Sequence, residues 1–381
     1  MTENTENITK GGIVLRVLMA AVFFIAAGAG AFLVFGPAPE TTNESFSGNI
    51  EQATEPEVKP EKLFIAVVGD MMLDRHVLAL VKRSGDYAYP FGKIDSYLNQ
   101  ADLRVGNLEG PVTDNDSVSL TTNGMSFTFP TDYLSPLGDR FEVLGIGNNH
   151  ALDFGEEGSR QTKNNLTREG ISFFGDYLNR GDNNSVVIKK NGIKVGFVGY
   201  HSLTEKGFNN VLLDTERMKA MCDFVIVMPH WGEEYELTEN DAQREAAKKL
   251  IDAGADAVIG GHPHVTQPLS VYKGKVIFWS IGNFVFDQYF SEETMRSISP
   301  TIELTKQPDG EITAEYGIVP ISIGKDSRPF AMDSEAAGIF LNNIAERSDV
   351  TDVGKSDIRS GKINPLTADK KSSDITASAV F

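Results

Sequence analysis

Five short apolar runs in this chain break off directly into residues that carry ligating oxygen or nitrogen. IAVVGD ends at Asp70, LRVGNLEG at Asn107 and Glu109, LGIGNNHALD at Asn149, His150 and Asp153, IVMPHWGEEY begins its polar part at His230, and VIGGHPH carries His262 and His264. Four of the six histidines fall at these junctions. Each motif alone has an ordinary explanation. Gly-Asp after a strand is usually a turn, Asn-Asn-His an Asx-turn, and a histidine after an apolar run a core histidine bonded to a backbone carbonyl. Gly-His-Pro-His says more, because two imidazoles one residue apart reach neighbouring coordination positions while proline stiffens the loop between them. The recurrence of one context, strand and then ligand, argues against five coincidences.

Carboxylate, asparagine oxygen and imidazole together make a mixed hard and borderline donor set, suited to Mn²⁺, Fe²⁺ or Zn²⁺ rather than Cu(I). Asp70 and Glu109 supply the negative charge. A carboxylate can bridge two such ions, and paired metals clamp the attacking and leaving oxygens of phosphoryl transfer, so one or two ions both suit this set. His150, beside Asn149, is then free to serve as an acid for the leaving group. The single cysteine, Cys222, excludes an internal disulfide framework and any cysteine-rich zinc or iron–sulfur site. A formal net charge of −18 and a pI near 4.8 exclude a nucleic-acid partner, which needs a basic face.

The elements that must position these residues are short. LFIAVV, VLGI, ISFF, VVI, VGFVGY, FVIVM, AVI and VIFWSI read as buried strands, and 158–169 and 241–253 as helices between some of them. This alternation gives an α/β layered fold, and in open α/β sheets functional groups gather where strand ends and loops converge on one crevice. The 381 residues, 41% of them hydrophobic, suffice for one large domain with appendages.

Outside the domain the composition changes. Val17 to Phe35 carries no charge, follows Lys10 and Arg16, and is long enough to span a bilayer. Basic residues before it and acidic ones after it place residues 1–16 in the cytoplasm, 17–35 in the cell membrane as a single-pass signal anchor, and the main domain outside. A cleaved signal peptide, with Ala29-Gly30-Ala31 as the cleavage site, is the competing reading. Residues 36–61, rich in Pro, Glu, Thr and Ser, read as a solvated tether. The domain is expected over 62–325, a C-terminal extension with a helix at Ser334–Arg347 over 326–347, and a disordered tail over 348–381.

The ordered set GD…NLEGP…NNHALDFG…HWGEEY…GHPHVTQ…SIGNFVFD closely resembles the CapA-type poly-γ-glutamate capsule biosynthesis proteins, over roughly residues 62–325. The resemblance implies a fold similar to calcineurin-like metallophosphoesterases, a layered sandwich of β-sheets flanked by helices. By it Asp70, Glu109, Asn149, His230, His262 and His264 fall on metal-site positions and His150 on the catalytic acid position. Asn107, Asp153, Glu234, Tyr235 and Asn283 become contacts to those ligands or to substrate. Two departures stand out. Phosphoesterases carry Asp-x-His at the first motif, and this chain has Met72 two residues after Asp70, while Asn-Leu-Glu replaces Gly-Asp-x-x-Asp at the second. His76 and His201 are the remaining histidines and read as surface or core residues. The resemblance implies a divalent-metal-dependent hydrolase or transferase acting on phosphoester, acyl-phosphate or γ-glutamyl bonds outside the cell. The alternative is a non-catalytic subunit that binds poly-γ-glutamate or the membrane subunits of a polymer synthase.

Overall fold

The structure, a computed structural model, describes residues 59–119, 125–204 and 206–370. The expected membrane span at 17–35, nearly all of the expected tether, and the last residues from 371 lie outside the described residues. Among the described residues no helix is long and apolar enough to cross a membrane.

The strand Glu61–Met71 alternates its side chains between two cores, as a period of two requires. Leu63, Ile65 and Val67 face one core, and Ala66 and Val68 face another. The first core is shared with Val195, Phe197, Ile226, Ile259 and Phe278 from a second sheet, so two sheets pack face to face. Each outer face is covered by helices. Val77, Leu78 and Val81 of the helix Arg75–Ser84 pack on the first sheet, and Ala247, Leu250 and Ile251 of Asp241–Asp252 on the second. Local signals set these helices. Asp74 caps the first, and Gly85 ends it in the left-handed region at φ 74°. Asn240 and Gln243 form a reciprocal capping box on the second.

The first sheet has nine strands, with Glu61–Met71 in its middle. Leu103–Leu108, Val143–Gly145 and Ser172–Phe174 run parallel on one side, and the long antiparallel strands Arg296–Lys306 and Ile312–Ile323 lie on the other. The second has six, and Ile193–His201, Phe224–His230, Ala257–Ile259 and Lys275–Phe278 are parallel neighbours. The carboxyl ends of both parallel sets meet at one edge of the sandwich. Close approach there needs glycine: a Cβ on Gly69 would lie 1.8 Å from the Gly282 carbonyl oxygen, and one on Gly261 2.8 Å from Asp70 Oδ1.

The chain past residue 325 is part of this core, against the expectation of a domain ending there and a disordered tail after residue 347. Leu341 and Ile344 of the helix Ser334–Arg347 join the inter-sheet core, as do Val350, Ile358 and Ile363. Residues through 370 fold as the helices Asp352–Arg359 and Pro365–Ala368 and a short strand, Lys362–Ile363, paired to Ile312–Ile323. The polar composition misled because these elements are short. Each buries one or two side chains and gives the rest to solvent.

Candidate metal centre

The strand Glu61–Met71 shifts register at its end, between Val68 and Asp70 against its parallel neighbour Leu103–Leu108. Such a bulge re-aims a side chain. Asp70 is fully buried there. Its Oδ1 accepts from Asn107 Nδ2 at 2.8 Å, and its Oδ2 accepts from the His262 backbone N–H at 3.1 Å. Glu109, one residue beyond the next strand, is equally buried, and neither of its carboxylate oxygens has a hydrogen-bond partner.

The imidazoles converge on these two carboxylates. His264 Nε2 lies 3.7 Å from Glu109 Oε1, and its Nδ1 lies 3.6 Å from Asp70 Oδ2 and 2.9 Å from Asn283 Oδ1. His230 Nε2 is 3.9 Å from Glu109 Oε1 and 2.7 Å from Asn149 Oδ1. The His230 and His262 rings are 4.8 Å apart, and His262 Nδ1 is buried without a partner. Three overlapping groups of donors result: Glu109 with His230 and His262, Asp70 with Glu109 and His264, and Glu234 with His262 and His264, the ligating atoms of each group within 4.8 Å of one another. Glu109 belongs to two of them. His262 and His264, flanking Pro263, both hold positive φ, 93° and 59°. For non-glycine residues that is stored strain, which persists where the surroundings demand a particular aim.

Burial dominates the electrostatics. It pushes the Asp70 carboxyl up to about 6 against the bonds from Asn107 and His262. It raises Glu109 well above the usual carboxylate range, with the charges of Asp70 and Glu234 adding to the effect. Burial also pushes His262 down to about 4, His264 down to about 3 and His230 well below its ordinary value, each with help from neighbouring imidazoles. Imidazoles kept neutral by burial beside a partnerless carboxylate are what a divalent cation requires, and a bound cation reverses the cost of ionising Glu109. The donors present therefore fit a metal of the oxygen- and nitrogen-binding kind.

The other expected residues stand around this group. His150 is in none of the three donor groups; its Nδ1 bonds Asp153 Oδ2 at 2.8 Å, and its ring lies 4.2 Å from that of Phe127. Asp153 also accepts from the Phe127 backbone N–H at 2.7 Å. Asn107 binds Asp70 and sits 3.5 Å from His230 Nδ1, and Asn283 holds His264 while donating to Gln288 and the Thr294 carbonyl. Tyr235 lies 6.0 Å from the His264 ring, at the exposed rim, its hydroxyl accepting from Gln288. Glu234 is exposed and, through the third donor group, closer to the ligands than its expected outer role. Met72 is buried in the apolar core, its sulfur accepting from the Asp74 N–H, so the position offers no nitrogen donor. His76 is exposed and away from the cluster, edge-on to Tyr289. His201 is buried at the end of its strand, 6.2 Å from the His230 ring, its Nδ1 donating to the Tyr177 carbonyl.

Three participants were invisible in the sequence. Asn148, next to the expected Asn149, donates to the Leu108 carbonyl and to Asn107 Oδ1 and accepts from the His150 N–H, tying two strand ends together. Gln288 links Asn283 to Tyr235. Arg75 lies between Phe127 and Phe286, its guanidinium carbon 5.1 and 5.5 Å from their ring centres. No spacing signal marks any of them.

The family model described as "Bacterial capsule synthesis protein PGA_cap" matches residues 64–288. The "PGA biosynthesis protein CapA" of Bacillus subtilis is 32% identical over 318 residues, covering 78% of this chain and 82% of that protein. The "Capsule biosynthesis protein CapA" of Bacillus anthracis is 32% identical over 289 residues, covering 70% and 69%. Among solved structures, a putative 5'-nucleotidase from Staphylococcus aureus shares 16% identity over 72% of this chain and 56% of that one, at a TM-score of 0.41, too distant a likeness to build on. The chain belongs to the bacterial capsule synthesis protein family.

Proposed function

We propose that this family member acts in the synthesis or export of a poly-γ-glutamate capsule or exopolymer, outside the cytoplasm and tethered by residues 17–35, and that its domain is a metal-dependent hydrolase of metallophosphatase-like fold. The observation that carries the metal is Glu109, a fully buried carboxylate whose two oxygens have no partner although two imidazoles and Asp70 surround it. A buried ionisable group without partners is costly, and a cation is the partner this donor set fits.

Asp70, Glu109, Asn149, His230, His262 and His264 would hold the ion or ions, with Mn, Fe or Zn suiting the donors. A bound divalent ion supplies polarisation of the scissile phosphoryl or carbonyl oxygen. The rest is the work of side chains. Asp153 accepts from His150 Nδ1, which leaves Nε2 to carry the proton that the leaving group takes. Asn283 and Asn107 fix the orientation of His264 and of Asp70. Metal analysis of the purified full-length protein, coupled to phosphoesterase and γ-glutamyl hydrolase assays, tests this reading; a protein that holds no metal refutes it.

The buried Met72 favours one alternative, a polymer-binding or synthase-complex subunit that keeps the site without catalysis. Stoichiometric metal with no turnover on either substrate class would select it.

A further inference from the structure

A protein with a formal charge of −18 that handles an anionic substrate must offset repulsion at its site. Asp70, Glu109, Asp153 and Glu234 all crowd this one. Arg75 is a cation whose charge reaches Glu109, His264 and Tyr235 alike.

Its placement is built. Arg75 opens its helix at a positive φ of 50°, a strained conformation for arginine. Buried Asp74 holds it there by accepting the Arg75 N–H at 2.7 Å, and Asp74 is itself fixed by the Thr128 N–H and the Ser117 hydroxyl. The guanidinium stacks between Phe127, which also carries His150, and Phe286, whose ring is 4.8 Å from that of His264. It thus stands between the candidate acid and a candidate ligand. Asp287 takes Nε and one Nη2 hydrogen. Of the five N–H donors of a guanidinium, the Nη1 pair has, among the described residues, only the sulfur of exposed Met125, at 3.9 Å.

We infer that Arg75 is the substrate-binding residue of this site, presenting its Nη1 edge to an oxyanion of the substrate, the carboxylate of a glutamyl unit or a phosphoryl group. The inference rests on the reading of the neighbouring cluster as a metal centre. Asp287 serves as the splint: it occupies the Nε and Nη2 side of the fork and leaves the Nη1 side for recognition of an oxyanion. A lysine there would keep the charge and lose the fork.

The test uses full-length wild type, Arg75→Lys and Arg75→Met, each assayed for metal content and, with and without chelator, for binding of tri-γ-glutamate and of inorganic phosphate. Expected are wild-type metal content in both variants and binding weakened about 10–100-fold, the scale of a lost hydrogen bond to a charged group. Loss confined to tri-γ-glutamate identifies a carboxylate, loss confined to phosphate a phosphoryl group, and loss of both a general oxyanion site. Unchanged binding of both probes in Arg75→Lys, or no binding by wild type, overturns the inference, as does loss of metal from Arg75→Lys, which would make the residue structural support. A wild type without metal that binds the probes through Arg75 would refute the metal reading alone.

Discussion

The two edges of the sandwich treat buried carboxylates in opposite ways. At the amino end of the strand Ala257–Ile259, buried Asp256 accepts from Lys219, Lys275 and the Val225 N–H at 2.7–3.0 Å. Half-buried Glu142 and Asp223, just before two other parallel strands, are likewise matched, by Arg104 and Lys190 and by the Lys194 backbone N–H and Lys306. Burial alone would raise both, yet these partners outweigh it and hold each below the ordinary carboxylate value. At the carboxyl edge, Glu109 has no such partner and Asp70 no cationic one close by. One edge is finished by the chain itself, and the other keeps an open carboxylate, which is where the proposed metal would sit. Buried charge left open by the fold is what separates a site from a scaffold here.

The largest expected effect that sharpens this contrast is at His150. Replacing it with alanine should leave metal content unchanged and lower any hydrolysis by about 10²–10⁴-fold. Metal content and turnover measured on one preparation decide it; loss of metal would move His150 into the ligand set. Next comes the double variant His262→Ala with His264→Ala. It should lose the ion and with it the ligand-linked stability, about 2.7 kcal/mol when metal stands at a hundred times its dissociation constant. Thermal melts with and without chelator read this directly, and full metal in the variant would break the assignment.

A smaller effect compares the edges directly. Asp256→Asn leaves its lysines and the Val225 N–H poorly matched and should cost about 1–3 kcal/mol, towards the low end because the lysines are partly exposed. Glu109→Gln in chelator should cost nothing, since it removes a carboxylate with no partner to lose. Urea titration of both variants tests this, and equal destabilisation would erase the distinction between the edges.

The carboxyl edge was legible in the sequence because a strand-end ligand leaves a local mark: apolar run, glycine, then oxygen or nitrogen donor. Asp70, Glu109, His230, His262 and His264 are brought together as that pattern suggested. Arg75 left no such mark. It works through Phe127, Phe286 and Asp287, the last 212 residues away, and no window along the chain contains that contact. Residues 348–370 were misread for a related reason. Val350, Ile358 and Ile363 are too widely spaced to show a periodicity, and their order comes from docking on a core that the rest of the chain provides. A fragment ending at residue 325 would therefore cut through the core, and a stable domain should include the chain through residue 370.

The smallest effect is in pH, and its sign separates the open edge from the finished one. In chelator, Glu109 keeps its proton in the folded state well above the ordinary carboxylate value, whereas the unfolded chain releases it near that value. The folded state then binds more protons, so stability falls as pH rises until the folded value is passed. Asp70, raised to about 6, acts in the same sense between its ordinary value and 6. His262 and His264, lowered to about 4 and 3, act oppositely: between those values and about 6.5 the unfolded chain binds the extra protons, and stability rises with pH. These opposing slopes offset one another below about pH 6.5. Glu109 acts in the direction of loss wherever the pH lies between its ordinary value and its raised folded one, so the metal-free protein should lose stability as pH rises through that window. Metal should abolish that decline by holding Glu109 ionised, and Glu109→Gln should abolish it without metal. Glu142 and Asp223, held below their ordinary values, stabilise the fold above those values and lose this contribution only as pH falls through their lowered ones, so the finished edge contributes nothing to that decline. Melting temperatures across pH 5–9 in chelator would show the decline. A decline with rising pH that persists in Glu109→Gln would place its origin in groups other than the open carboxylate.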